Sequence, residues 1–270
     1  MGEGRSIALV RVVLFSLVML LAVELSPLVA AALYGSDMYD VANTLLFFGT
    51  FVLMYFAAVI FVRWEGGRSV TELGLTIGSR TNLMLTVGAV SGMVAAGFVV
   101  LIALLFGGQL RPASEITSDL LVGEVIITIP VAVFEELCYR GYLMSRMTDL
   151  WGLPTGIIIS SLVFSLLHFN WWLPLGFVPY HLVAIFTFNM FLGGIVLGLS
   201  YHLSGNKLWA PIAFHFVWNI IAYILFPVYP SVPVVAPELF QIEWGLSTMP
   251  GFLLGLLVLL VFLRGRVEKK

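Results

Sequence analysis

Phe134-Glu135-Glu136-Leu137-Cys138-Tyr139-Arg140-Gly141 sets two adjacent carboxylates into a run from Leu120 to Met144 that is apolar upstream of them except for Glu124 and Thr128. An ionised side chain at bilayer depth costs about 2.5 to 3.5 kcal/mol or more on insertion scales, so a neighbouring pair is not idle surface. On a helix Glu136 and Arg140 stand one turn apart with the acid first, the favourable order for an ion pair. Glu135 points about 100° away from its neighbour. The simplest division is one structural carboxylate and one free carboxylate; a purely structural acid cluster and a proton or ion pathway are the competing readings. Three further polar residues fall inside apolar runs: His168, and His215 with Asn219 four positions later on the same helix face.

A carboxylate in a low-dielectric pocket suits a general base that takes a proton from water. Imidazole and carboxamide groups suit an oxyanion developing on an attacked carbonyl. The set therefore fits water attack on an amide or ester bond. No HExxH or GxSxG stretch is present, so the helical zinc signature and the serine elbow are both missing. Glu135 with two histidines is still enough for three metal ligands, which keeps zinc open although the preferred reading needs no cofactor.

The elements that must carry these residues are membrane helices. The chain has 270 residues, 60% of them hydrophobic and 10% charged, with a mean hydropathy of +1.06. Soluble domains carry about 25% charged residues. The single cysteine, Cys138, excludes an internal disulfide framework and reads as a packing residue. A net charge of -2 without a basic stripe argues against nucleic acid as a partner. Runs long enough to cross the bilayer extend over Ile7–Leu33, Val41–Val62, Leu83–Phe106, Leu120–Met144, Leu153–Phe169, Leu182–Tyr201, Leu208–Phe226 and Leu246–Leu263. The expected fold is all-α: a polytopic membrane protein, a bundle of about eight transmembrane helices with a buried polar cavity, and one domain over residues 1–270. The first run is too long for a signal peptide and contains Glu24, read as a hydrogen bond to the backbone near Pro27.

Eight spans put Arg5, Arg11, Arg63, Arg68, Arg80, Arg140, Arg146, Lys207, Arg264, Arg266, Lys269 and Lys270 on one side and only Arg111 on the other. That bias predicts an integral membrane protein with cytoplasmic N- and C-termini. Counting inward from the nearest span ends places Glu135 and His168 about 18 and 21 Å deep, and His215 and Asn219 about 10 and 16 Å deep. A common cavity in the inner two-thirds of the bilayer, opening toward the cytoplasm, follows. Val70-Thr71-Glu72-Leu73-Gly74-Leu75 reads as a short interfacial helix, and Pro227–Pro250 as extended or turn backbone. Asn43 and Asn189 read as interhelical hydrogen-bond residues, and His181 and His202 as span-end residues.

Glu135-Glu136-x-x-x-Arg140, Phe164-x-x-x-His168 and His215-x-x-x-Asn219, in this order on separate spans, resemble the motifs of the CAAX protease and bacteriocin-processing (CPBP) intramembrane protease family, also called ABI or type II CAAX prenyl endopeptidases. Arg140-Gly141-Tyr142-Leu143 and Glu72-Leu73-Gly74-Leu75 extend the likeness, so that the motif-bearing core covers about residues 72–219. The resemblance implies a glutamate-dependent endopeptidase without an obligatory metal. Glu135 would activate water with His168 helping to hold it, His215 and Asn219 would stabilise the oxyanion, and Glu136 and Arg140 would organise the site. It also implies a protein or peptide substrate, in the best understood members a prenylated C-terminus processed at the cytoplasmic side. Some members instead serve bacteriocin immunity or partner binding, and a proton-coupled carrier is the remaining rival. A catalytically dead variant that still complements a deletion would mark the former, and pH-driven uptake in liposomes the latter.

Overall fold

The computed structural model describes residues 3–169, 171, 178–227 and 234–267, and among them it contains helices and turns but no strand. In chain order the helices are α1 (Glu3–Ala32), α2 (Tyr39–Trp64), α3 (Thr81–Phe106), α4 (Ser118–Glu135), a π-helical segment (Glu136–Met144), α5 (Ser145–Trp151), α6 (Leu153–Leu166), α7 (Tyr180–Leu203), α8 (Trp209–Leu225), α9 (Pro237–Phe240) and α10 (Thr248–Val267). Four of them, α1, α2, α3 and α7, are long and apolar enough to cross a membrane, and α6, α8 and α10 are shorter apolar helices. With the continuous stretch from α4 through α5, each of the eight apolar runs falls on a helical stretch, and with four long apolar helices the protein is an all-α polytopic membrane protein.

Local chemistry sets the ends. Thr117 caps α4, its hydroxyl accepting from the Leu120 amide at 3.2 Å. Pro154, which in the sequence looks like an interruption, sits in the first turn of α6, where a proline costs nothing. The expected interfacial helix is a short 3₁₀ turn, Val70–Leu73, capped by Ser69, with Leu73 buried.

Two corrections to the expected pattern bear on function. The fourth span does not remain α-helical: after Glu135 it widens into the π segment, in which all nine residues are buried. Such insertions leave the regular i→i−4 ladder and recur at functional sites. Second, Pro227–Pro250 is not only extended or turn backbone. Pro237–Phe240 forms the short helix α9 and α10 begins at Thr248, while Pro230 and Pro233 lie outside the described residues.

Helix α8, which carries His215 and Asn219, runs beside α3 at very short range. A Cβ on Gly92 would lie 2.6 Å from the Phe214 carbonyl oxygen, and one on Gly88 would lie 2.2 Å from that of Ala210. Backbones approach this closely only where a side chain is missing, as in small-residue membrane interfaces. Gly92→Val should therefore force α8 away from α3 and destabilise by about 1 to 3 kcal/mol, the usual cost of overpacking. Thermal unfolding in detergent would register this as a lowered midpoint.

Candidate active site

Glu135 is the last residue of α4, held where the π segment begins. Its Oε2 lies 3.5 Å from His168 Nε2 and 3.9 Å from His215 Nε2. Both spacings are loose for direct hydrogen bonds. The three groups can therefore each turn toward a reactant placed between them. His168 stands in the turn that follows α6, and His215 one helical turn before Asn219 on α8.

The opposite ring edges are committed. His168 Nδ1 lies 2.6 Å from the Phe164 carbonyl oxygen, which can only accept, so this nitrogen carries the proton. His215 Nδ1 donates to Glu136 Oε1 at 2.9 Å. The same oxygen accepts from Arg140 Nη1 at 2.8 Å. In their neutral forms both imidazoles thus present a bare Nε2 toward Glu135. A donor role for His215 in an oxyanion site therefore requires its imidazolium form, for which Glu136 is the adjacent counter-charge; Asn219 is a donor as it stands.

Glu136 and Arg140 are 0% and 2% exposed, so their pairing is enclosed in protein. The Arg140 guanidinium also lies 4.1 Å from the centroid of the Phe164 ring and reaches the Gly194 carbonyl at 3.5 Å. Phe164 in turn packs at 4.1 Å between centroids on His168 and meets Tyr139 edge-on at 5.1 Å. One aromatic ring thus ties the ion pair on the π segment to the histidine after α6. Cys138 faces away from this cluster, buried with its Sγ 3.5 Å from the Met54 carbonyl, as a packing residue does.

Glu135, His168, His215 and Asn219 all line one chamber of about 390 Å³. Its remaining walls are mostly apolar, with Phe47, Phe51, Met54, Phe186, Met190 and Phe252 among them. The depth count from the inner span ends misplaces this space. The lining on α1 is Val23, Ser26 and Pro27 and on α2 it runs from Asn43 to Met54, the halves of those helices away from the chain termini. From the reactive groups the chamber extends along these halves, toward the face opposite the termini, because counting from one boundary says nothing about which side of a residue is packed. Glu24 does not line it, although its neighbour Val23 does, whereas Asn43 lies on its wall. His181 and His202 are exposed at the ends of α7.

Glu243 also lines the chamber, and the sequence does not announce it. It follows α9 in a segment that folds back into the bundle, with a left-handed φ of 68°. Asn189 on α7 holds this segment from below, its Nδ2 donating to the carbonyls of Glu243 at 2.8 Å and Gly245 at 3.0 Å. That is how buried irregular backbone is satisfied at membrane depth. Trp218 Nε1 donates to Glu243 Oε1 at 3.3 Å. The only signal in the sequence is an acid between Ile242 and Trp244, and the surrounding prolines argue for an exterior loop.

Residues 117–221 match the family model described as type II CAAX prenyl endopeptidase, Rce1-like. The match spans all three motif pairs and bears out the resemblance drawn from them, while Glu72-Leu73-Gly74-Leu75 falls before it. No curated protein matches the chain.

Proposed function

We propose that the protein is a glutamate-dependent intramembrane endopeptidase of CAAX-processing type, in which Glu135 activates the water that attacks a peptide bond. The observation that carries this reading is the convergence of His168 Nε2 and His215 Nε2 on the Glu135 carboxylate, at 3.5 and 3.9 Å, inside the chamber that Asn219 shares. Glu135 takes a proton from water as the oxygen–carbon bond forms. Asn219 and the imidazolium form of His215 receive the negative charge that develops on the carbonyl oxygen, and Glu136 balances the imidazolium, much as a buried carboxylate does in a catalytic triad. His168, aligned through Nδ1, holds the water. The proton on Glu135 then goes to the departing amine as the carbon–nitrogen bond breaks, which returns the carboxylate. An apolar chamber in the bilayer suits a substrate bearing a lipid or an apolar segment, a prenylated peptide being the form that the matched family's name suggests. Cytoplasmic termini are part of the proposal, on the twelve-to-one distribution of basic residues.

Purified protein incubated with a farnesylated peptide, with mass spectrometry of the products, tests the activity. Asn219→Ala should lower the cleavage rate about 10²-fold, the scale for loss of one oxyanion donor, with a smaller change in KM. One observation favours a second form of the same reading, in which a metal supplies the water. Both Nδ1 atoms are bound to acceptors, the arrangement that metal-ligating histidines adopt, although among the described residues no group of three His, Cys, Asp or Glu side chains is disposed to hold an ion. Cleavage that survives prolonged chelation supports the metal-free form; loss restored by zinc supports the other.

A further inference from the structure

We infer that Glu243 selects the substrate, its carboxylate binding a lysine or arginine side chain that the peptide carries close to the bond that is cut. That a peptide enters the chamber rests on the hydrolytic reading above; the charge it carries there rests on the chamber wall.

Glu243 is firmly held. Its amide donates to Thr248 Oγ1 at 3.0 Å, in addition to the bonds that Asn189 makes to the carbonyls of Glu243 and Gly245. Its neighbours are anchored as well, Ile242 by burial and Trp244 by stacking on Phe186 with ring centroids 4.3 Å apart. At a φ of 68° a glycine or asparagine would make this turn at less cost, so the glutamate stands there against the backbone preference. Residues in sparsely populated backbone regions cluster at functional sites. One carboxylate oxygen accepts from the indole of Trp218, which is buried and packs on Phe252 at 4.3 Å between centroids. Trp218 follows His215 by three residues on α8 and precedes Asn219, which fixes Glu243 to the helix turn that carries both oxyanion residues.

Among the described residues no lysine or arginine lines the chamber. The sequence has neither between Arg146 and Lys207, nor between Lys207 and Arg264, so the segments around Glu243 bring none. Arg111 is committed elsewhere, donating to the carbonyls of Tyr223, Ile224 and Phe226. Arg140 pairs with Glu136, and the two imidazoles face Glu135 and Glu136. A carboxylate in an apolar chamber that is met by a neutral indole N–H lacks the counter-charge that would offset its removal from water. A cationic group on the ligand supplies it. Glu243 is only half-buried and lines the wall, so its carboxylate is open to such a group. An acidic side chain in the same place would meet like charge, which is how a site rejects a wrong partner. A prenylated peptide with a basic residue near its modified cysteine meets both demands, apolar body and positive charge.

Farnesylated peptides with a blocked N-terminus, carrying lysine, norleucine or glutamate in turn at each position flanking the farnesylcysteine, test the preference. Norleucine keeps the aliphatic chain of lysine and drops the ammonium. Cleavage is followed as kcat/KM for wild type, Glu243→Gln and Glu243→Lys, and affinity for dansyl-labelled forms of the same peptides is measured with Glu135→Gln, alone and combined with Glu243→Gln. At one flanking position or more, wild type should favour lysine over norleucine by about 10- to 100-fold and take glutamate least. Glu243→Gln can still accept from Trp218, so it should keep the wild-type unfolding midpoint and treat lysine and norleucine alike. Glu243→Lys should favour glutamate; if it does not fold, Glu243→Gln decides alone. Equal use of lysine and norleucine by wild type at every position, or a lysine preference that persists in Glu243→Gln, overturns the inference. Binding with the lysine preference but no cleavage of any peptide removes the hydrolytic reading and leaves Glu243 as a cation site; cleavage without the preference does the reverse. Protein that neither binds nor cleaves any of the peptides overturns both.

Discussion

Glu135→Gln should lower turnover by about 10⁴-fold, the upper end of what a positioned general base contributes, while leaving the unfolding midpoint in detergent close to that of wild type. The amide keeps the shape of the carboxylate and can still meet the histidine Nε2 atoms, but it cannot take the proton that water must lose. Because Glu135 lies at the chamber edge and its carboxylate has no direct ion pair with Arg140, its charge is not what holds the helices together. Loss of rate without loss of fold is therefore the signature expected here. A variant that unfolded as readily as it lost activity would make Glu135 a structural residue.

The opposite signature is expected one turn on. Arg140→Met keeps most of the side-chain length but leaves Glu136 buried at 0% exposure with the His215 Nδ1 contact as its remaining side-chain pairing among the described residues. Removing one member of an enclosed ion pair costs about 3 to 5 kcal/mol, because the surviving charge stays out of water. The contact of the guanidinium with the Phe164 ring is lost as well. The midpoint of thermal unfolding should fall well below that of wild type, and activity should fall with it, since Glu136 orients His215. The double variant Arg140→Met, Glu136→Gln should recover part of the stability, because no unpaired charge is left, without recovering rate. That recovery separates a charge-pairing role from simple packing.

The gathering of the polar groups was legible in the sequence where it depends on helical spacing and on the cost of polarity in lipid. Glu136 with Arg140, and His215 with Asn219, are one turn apart in any regular helix, and His168 stands out against an apolar run. The packing role of Cys138 followed from its setting. What spacing cannot reveal is a change of helix type. Nothing in Glu136–Met144 marks the wider turn that buries every residue of the segment, and on a regular helix some of them would have faced lipid. Nor can depth from one end say on which side of Glu135 the protein is packed, which is why the chamber was expected to open toward the termini. Glu243 reaches the chamber only because Asn189 fastens a folded-back segment between α9 and α10, a contact between residues far apart in the chain.

The most direct test of Glu135 as the activator of water is the mass of the peptide released by purified protein in ¹⁸O-labelled water. Wild type should put one heavy oxygen into the new carboxylate of a lipidated peptide, and Glu135→Gln should release almost none of that product over the same time. Equal release by both proteins, or a new C-terminus without solvent oxygen, would contradict the account.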